Sequence, residues 1–273
     1  MTGAATFRLV DGVKCYHPDV AESYEGYPES GFEVTDDVEA ESFWVRSRTR
    51  LLKHEVSRVC GRSGARMLEV GCGTGVFLRS LAGTPGLELL GSEIYLRGLK
   101  SARARGGAIE FIQLDATRIP FEAEFDIVGA FDVIEHIDDD EAVLRGISRS
   151  LKPGGELLLT VPQHPFLWSR LDELVHHKRR YTRKDLVRKV QEAGLRVSYA
   201  SSFLFTCFPL MLASRLLDRG SGSDPKDEFD RRVRFSPLVN TVLDAVMRVD
   251  EALIRGRLSL PWGGTLLVVA RKA

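Results

Sequence analysis

The sequence predicts an α/β fold: a seven-stranded, mostly parallel sheet with helices on both faces and a helical insertion before the last strand. Three observations predict it. Short apolar runs alternate with helical stretches between residues 61 and 202, a rhythm that requires right-handed crossovers. The runs are apolar throughout rather than alternating, as when both faces of a sheet are covered. The first run opens into a glycine-rich turn, Gly71-Cys72-Gly73-Thr74-Gly75.

The elements follow in order. Residues 1 to 37 are polar and weakly periodic and read as an irregular arm. Between Val38 and Arg62, Phe43, Trp44, Leu51, Leu52, Val56 and Val59 recur at three-and-four spacing, which predicts a helix. Arg66 to Val70 is the first strand and Val76 to Leu81 its helix. Leu87 to Glu93, Ile109 to Leu114 and Phe125 to Phe131 are further strands. Leu96 to Arg105 and Asp139 to Leu151 are helices. Lys152-Pro153-Gly154-Gly155 is a turn into a strand over Glu156 to Val161. Arg183 to Ala193 is a helix closed by Gly194, and Leu195 to Tyr199 a strand. The rhythm then breaks. Phe203 to Asp218 and Leu238 to Ile254 read as helices around a polar loop at 219–232, before a last strand over Gly264 to Ala270. The chain thus divides into a cap (1–60), a core (61–202), an insertion (203–262) and a final core strand (263–273).

Composition narrows the class. With 38 Lys+Arg against 38 Asp+Glu in 273 residues, the chain is not a bulk binder of nucleic acid. Cys15, Cys60, Cys72 and Cys207 are scattered, so neither a zinc finger nor a disulfide framework is expected. Free thiols, no signal-like N-terminus and no apolar run of membrane-spanning length together point to a cytoplasmic protein.

The glycine turn lets backbone pass close under a ligand and presents helix N-terminal N–H groups. A dinucleotide fingerprint would place its third glycine at 76, where Val76 stands; here it is Gly75. Glu93 and Asp115 end the next two strands, on the rim where open α/β sheets bind ligands. Together with Glu69, Phe125-Asp126-Ile127-Val128 and Leu151-Lys152-Pro153-Gly154-Gly155, these residues resemble a class I S-adenosylmethionine-dependent methyltransferase of Rossmann-like fold. The resemblance covers about residues 60–202 and the final strand. It implies S-adenosylmethionine as cofactor. Gly71, Cys72, Gly73 and Gly75 would line its methionine part, with Glu69 near the amino group. Glu93 would hold the ribose, and Asp115 and Ala116 the adenine. Phe131 would lie near the methionine end.

A hydroxyl acceptor must lose a proton, which calls for a base or a metal. The fourth strand runs into Asp132-Val133-Ile134-Glu135-His136, and a helical turn there would put Asp132, Glu135 and His136 on one face. With His177 they form a mixed O/N set suited to a divalent ion, Mg, Mn or Zn. This stretch, with His177 before Tyr181-Thr182-Arg183, resembles the small-RNA 2′-O-methyltransferases, and Glu135-His136 resembles the ubiquinone-pathway O-methyltransferases. The departure is the shorter Asp132 where the former carry Glu. Glu-His also occurs in relatives that use no metal, where His136 would be a base. His164 is a second base candidate at the rim.

Lys178, Arg179 and Arg180, in a basic run, read either as a holder of an anionic group on the acceptor or as a solvated helix start. The apolar insertion reads either as a lid for a hydrophobic acceptor that touches a membrane interface, or as a cap on the sheet or a dimer partner. The resulting expectation is O-methylation of a small or lipid-linked hydroxyl compound, with Glu135, His136 and His177 as catalytic residues. N- or C-methylation without metal, and a non-catalytic cofactor-binding module, stand as alternatives. No nucleic-acid partner is expected.

Overall fold

The computed structural model describes residues 6–20, 42–60, 64–217 and 234–273. A hairpin, β1 (Arg8–Val10) and β2 (Val13–Cys15), precedes helix α1 (Phe43–Val59). Then come β3 (Ala65–Val70), α2 (Val76–Leu81), β4 (Leu87–Glu93), α3 (Leu96–Ala104), β5 (Glu110–Gln113) and β6 (Phe125–Phe131). They continue through α4 (Asp140–Ser150), β7 (Leu151–Pro162), α5 (Arg170–Leu174), α6 (Arg183–Glu192) and β8 (Leu195–Phe203). Last are α7 (Phe208–Leu217), α8 (Pro237–Arg255) and β9 (Thr265–Lys272).

The sheet runs β1-β2-β5-β4-β3-β6-β7-β9-β8, with β2 through β7 parallel and β1, β9 and β8 closing antiparallel pairings. The α/β architecture matches expectation. The strand number does not: nine strands stand where seven were expected. The two extra strands lie in the arm read as irregular. Strands of three residues are too short to show a period, and β2 pairs with β5 through only two register positions. The expected turn at Lys152–Gly155 is a bulge inside β7, where strand partners jump from Phe125–Leu151 to Ile127–Glu156. β8 runs four residues beyond Tyr199, so the helix expected from Phe203 starts at Phe208. Pro209 then sits in its first turn, where a missing N–H is harmless. α5 was not anticipated. The expected loop at 219–232 and the arm's stretch from 21 to 37 lie outside the described residues.

Both sheet faces are covered, as the apolar strands require. Leu157, Leu159 and Val161 of β7 join Leu144 and Ile147 of α4 and Leu186 and Val190 of α6. Leu158, between them, faces the other layer with Leu51 and Leu52 of α1 and Met247 and Ile254 of α8. α1 and α8 are also tied by charge: Arg50 reaches Asp244 at 2.9 Å and Glu251 at 2.6 Å. Among the described residues, no helix is long and apolar enough to cross a membrane.

Asp140 opens α4 nearly buried. It accepts from Tyr181 Oη at 2.7 Å and Lys189 Nζ at 2.8 Å. Burial alone would raise its pKa, but Lys189 and Tyr181 outweigh that and hold it below the usual carboxylate value. A depressed pKa gives stability that is present above the unfolded value and lost as pH falls through the folded one. Asp140→Asn should therefore cost about 3 kcal/mol at neutral pH. In urea titrations the gap between the two proteins should narrow below about pH 4 as the native carboxylate protonates.

Candidate active site

The parallel strands deliver their carboxyl ends to one rim. β3 ends in the glycine turn, where Gly71, Gly73 and Gly75 all take positive φ, +68°, +54° and +76°. A Cβ at Gly71 would collide with Val133 at 2.5 Å, whereas one at Gly73 would meet nothing within 4 Å. Gly73 therefore faces open space, a cradle that a ligand can enter. Glu93 stands beside it, 7% exposed, accepting N–H bonds from Gly73 (3.0 Å), Ile94 (2.8 Å) and Tyr95 (3.1 Å). Burial pushes the Glu93 pKa up against these bonds. Asp115 follows β5 and accepts from Thr117 N and Oγ1 (2.9 and 2.7 Å) and Arg118 Nε (2.9 Å). Those bonds outweigh its burial and hold its pKa down, while Ala116 opens the next turn. Glu69 is buried in β3. Cys72 is buried beside Glu69 and Glu93, and burial raises its thiol pKa far above normal, so it is a wall rather than a nucleophile. Phe131 turns into the core, edge-on to Phe77 with ring centroids 4.9 Å apart.

The second centre follows β6. A short 3-10 turn, Ile134–His136, replaces the expected α-helical turn. It brings Glu135, His136 and His177 together, with one ligand atom from each lying within 4.8 Å of the others. Asp132, expected as a fourth ligand, is not in that group. Its backbone takes φ +57°, and its carboxylate is ion-paired with Arg48 of α1 and accepts from Thr160 Oγ1 at 3.3 Å. The Arg48 guanidinium lies 4.3 Å from the Trp44 ring centroid, which fixes it over Asp132.

Glu135 is fully buried, and neither side-chain oxygen has a hydrogen-bond partner. Burial and the nearby Asp132 carboxylate raise its pKa well above normal. His177 points Nε2 at Glu135 Oε1, 3.7 Å away, and its other nitrogen, Nδ1, bonds Asp172 Oδ1 at 2.8 Å. His136 packs edge-on to His177, ring centroids 4.8 Å apart. Asp172 is itself buried, accepting from Ser169 N, Ser169 Oγ and Arg180 Nε at 2.8, 2.9 and 2.7 Å. His177 and Arg180 outweigh its burial and hold its pKa well below normal. Sequence reading missed Asp172, although Ser169-x-x-Asp172 is a helix-start signature.

The basic run meets carboxylates of its own chain. Lys178 pairs with Asp138, Arg179 with Asp140 at 3.1 Å, and Arg180 with Asp172 at 2.7 Å. His164 takes φ +63° and stacks on Trp262, centroids 5.3 Å apart at 28°. Burial and two arginines lower its pKa. Beside it lies a largely apolar, open pocket of about 520 Å³, lined by Thr206 and by Phe166, Phe205, Phe208, Pro209, Leu212 and Trp262.

Comparison with known proteins places this geometry in a family. A family model described as a methyltransferase domain matches residues 44–200, more than half of the chain. An O-methyltransferase, resE, of Aspergillus sclerotiorum is 27% identical over 175 residues, 59% of this chain and 66% of that protein. The ubiquinone biosynthesis O-methyltransferase of Pseudomonas aeruginosa is 28% identical over 156 residues, 50% of this chain and 67% of that protein. The chain spans about two thirds of the length of these curated relatives. A Haemonchus contortus phosphoethanolamine N-methyltransferase 2, solved with S-adenosyl-L-methionine, superposes with a TM-score of 0.60 at 21% identity. That match covers 93% of this chain and 59% of the other, and shows the shared fold. The chain therefore belongs to the methyltransferase-domain family. By class it is an S-adenosylmethionine-dependent methyltransferase.

Gly73→Ala would fill the open cradle while straining φ by about 1 kcal/mol. It should weaken S-adenosylhomocysteine binding about tenfold or more in calorimetry while thermal stability changes little. Unchanged affinity would place the cofactor elsewhere.

Proposed function

We propose that the chain transfers a methyl group to a hydroxyl of a small or lipid-linked acceptor, with Glu135, His136 and His177 holding a divalent cation. The observation that carries this reading is Glu135: fully buried, with both oxygens unbonded. Its polar neighbour His177 Nε2 stands 3.7 Å away, and a buried carboxylate without hydrogen bonds costs several kcal/mol unless it is protonated or bound to a cation. The donor set fits a cation: one carboxylate and two imidazoles, the mixed O/N chemistry that Zn, Mn or Mg accept. When bound, a divalent ion would lower the pKa of an acceptor hydroxyl and orient its oxygen.

This chain's residues do the rest. Asp172 holds the Nδ1 side of His177, which leaves Nε2 as the side facing Glu135. Arg180 and Ser169 keep Asp172 ionised and fixed. The glycine turn, Glu69, Glu93, Asp115 and Ala116 supply the cofactor's cradle, and Phe131 backs it from the core. The curated relatives named O-methyltransferases support transfer to oxygen. A second reading is metal-free transfer to nitrogen or carbon. It is favoured by the burial of Glu135 beside Asp132, which raises its pKa and so favours the neutral form, with His136 as base.

His136→Ala should lower turnover about 100-fold or more while S-adenosylhomocysteine affinity is kept. The assay is release of that product over a panel of phenols and catechols. EDTA should abolish wild-type activity, and a divalent ion should restore it. EDTA-resistant turnover that still requires His136 selects the metal-free reading. Full activity in His136→Ala removes the residue from both.

A further inference from the structure

α8 carries two apolar faces. The inner one, with Met247 and Ile254 buried, packs on α1 and the sheet. The outer one repeats at three-and-four spacing through Leu238, Val242, Ala245, Val249 and Ala252. Leu238 is 73% exposed, Val242 54% and Val249 51%. A helix inside a globular domain needs one apolar stripe, and this second one has no covering element among the described residues.

The charges beside it are sorted. All three carboxylates of α8 are already partnered. Asp244 pairs with Arg50 and, more loosely, with Arg46 and Arg248, and Glu251 with Arg50, Ser47 and, at 3.6 Å, Arg255. Asp250 is buried and accepts the backbone N–H groups of Phe205 and Thr206. The exposed charges of the helix are cations, Arg248 at 66% and Arg255 at 42% side-chain exposure. Among the described residues, Arg46, Arg50, Arg248 and Arg255 thus share Asp244 and Glu251, a local positive excess in a chain whose net charge is zero.

We propose that the outer face of α8 lies flat on a membrane surface bearing anionic lipid. An apolar stripe edged by arginine is the pattern of an interfacial helix, with aliphatic side chains sunk at the headgroup boundary and guanidinium groups on lipid phosphates. A second copy of the chain fits less well. Seam-on-seam pairing would leave Arg248 and Arg255 with no exposed carboxylate of a second α8 to answer them. The location serves the site. Phe43 N–H bonds Asn240 Oδ1 at 3.0 Å near the start of α8, and little more than one turn later α1 sets Arg48 on Asp132 at the rim. An acceptor with an apolar tail would reach that rim from the bilayer surface.

Sedimentation of the full chain with lipid vesicles tests this. Binding should be strong with about one quarter phosphatidylglycerol in phosphatidylcholine. It should be about tenfold weaker on phosphatidylcholine alone or in about 0.5 M salt. The double variant Leu238→Asp, Val242→Asp should bind about tenfold more weakly with its melting temperature unchanged, because both positions are exposed. Val249→Asn, at the far end of the seam, should weaken binding in the same direction. Three results overturn the proposal: no binding to anionic vesicles, binding indifferent to all these substitutions, or a wild-type dimer that the double variant splits. Vesicle binding involves no methyl transfer, so its outcome is independent of the O-methyl reading.

Discussion

Parallel pairing constrains everything else in this molecule. Strands β3 to β7 all point the same way, so each crossover must return on a face and each loop that leaves a strand end must join the same rim. The glycine turn, Glu93, Asp115 and the Asp132–His136 segment are far apart in sequence and share one rim only because of that polarity. The register makes it quantitative. β3 and β4 pair from Ala65–Leu87 through Val70–Ser92, which sets Gly73 one hydrogen bond from Glu93. A slip of one residue would turn the apolar side chains of a strand to the opposite layer.

Buried charge is the second constraint. Asp140, Asp172, Glu251 and Glu55 are nearly or fully buried, and each meets a cation: Lys189, Arg180, Arg50 and Arg257. Glu135 departs from this pattern. Arg180, close enough to lower its pKa, is already bonded to Asp172 and the Gln163 carbonyl. The surrounding cations are thus engaged, while two imidazoles face the unbonded carboxylate. Such an arrangement suits a group that changes partner, either proton or cation, and suits poorly a group that only holds the fold.

Much of this was legible in the sequence, and its failures have physical causes. Long apolar strands and the Gly-x-Gly-x-Gly turn announced the core because their signals are local and repeated. The β1–β2 hairpin stayed hidden, since its strands are too short for periodicity and gain order from β5 and from Gln113, which bonds His17. The sequence marks Asp132, Glu135 and His136 as a group, but their spacing cannot tell a 3-10 turn from an α-turn. Nor could it show that Arg48, 84 residues upstream, would capture Asp132. The basic run likewise carried no sign that its cations would meet Asp138, Asp140 and Asp172.

The insertion shows where pattern reading reaches a real ambiguity. Leu238, Val242 and Val249 contribute to apolar periodicity just as Met247 and Ile254 do, and a single helix cannot bury both sets against one sheet. The inner set is fixed by the carboxylates: Asp250 receives the turn that leads into α7, and Glu251 receives Ser47 and Arg50 of α1. Once those polar contacts set the rotation of the helix, Leu238, Val242 and Val249 are forced outward. Their exposure follows from the hydrogen bonding of the buried side, while the arginines left beside them determine which surface they can meet.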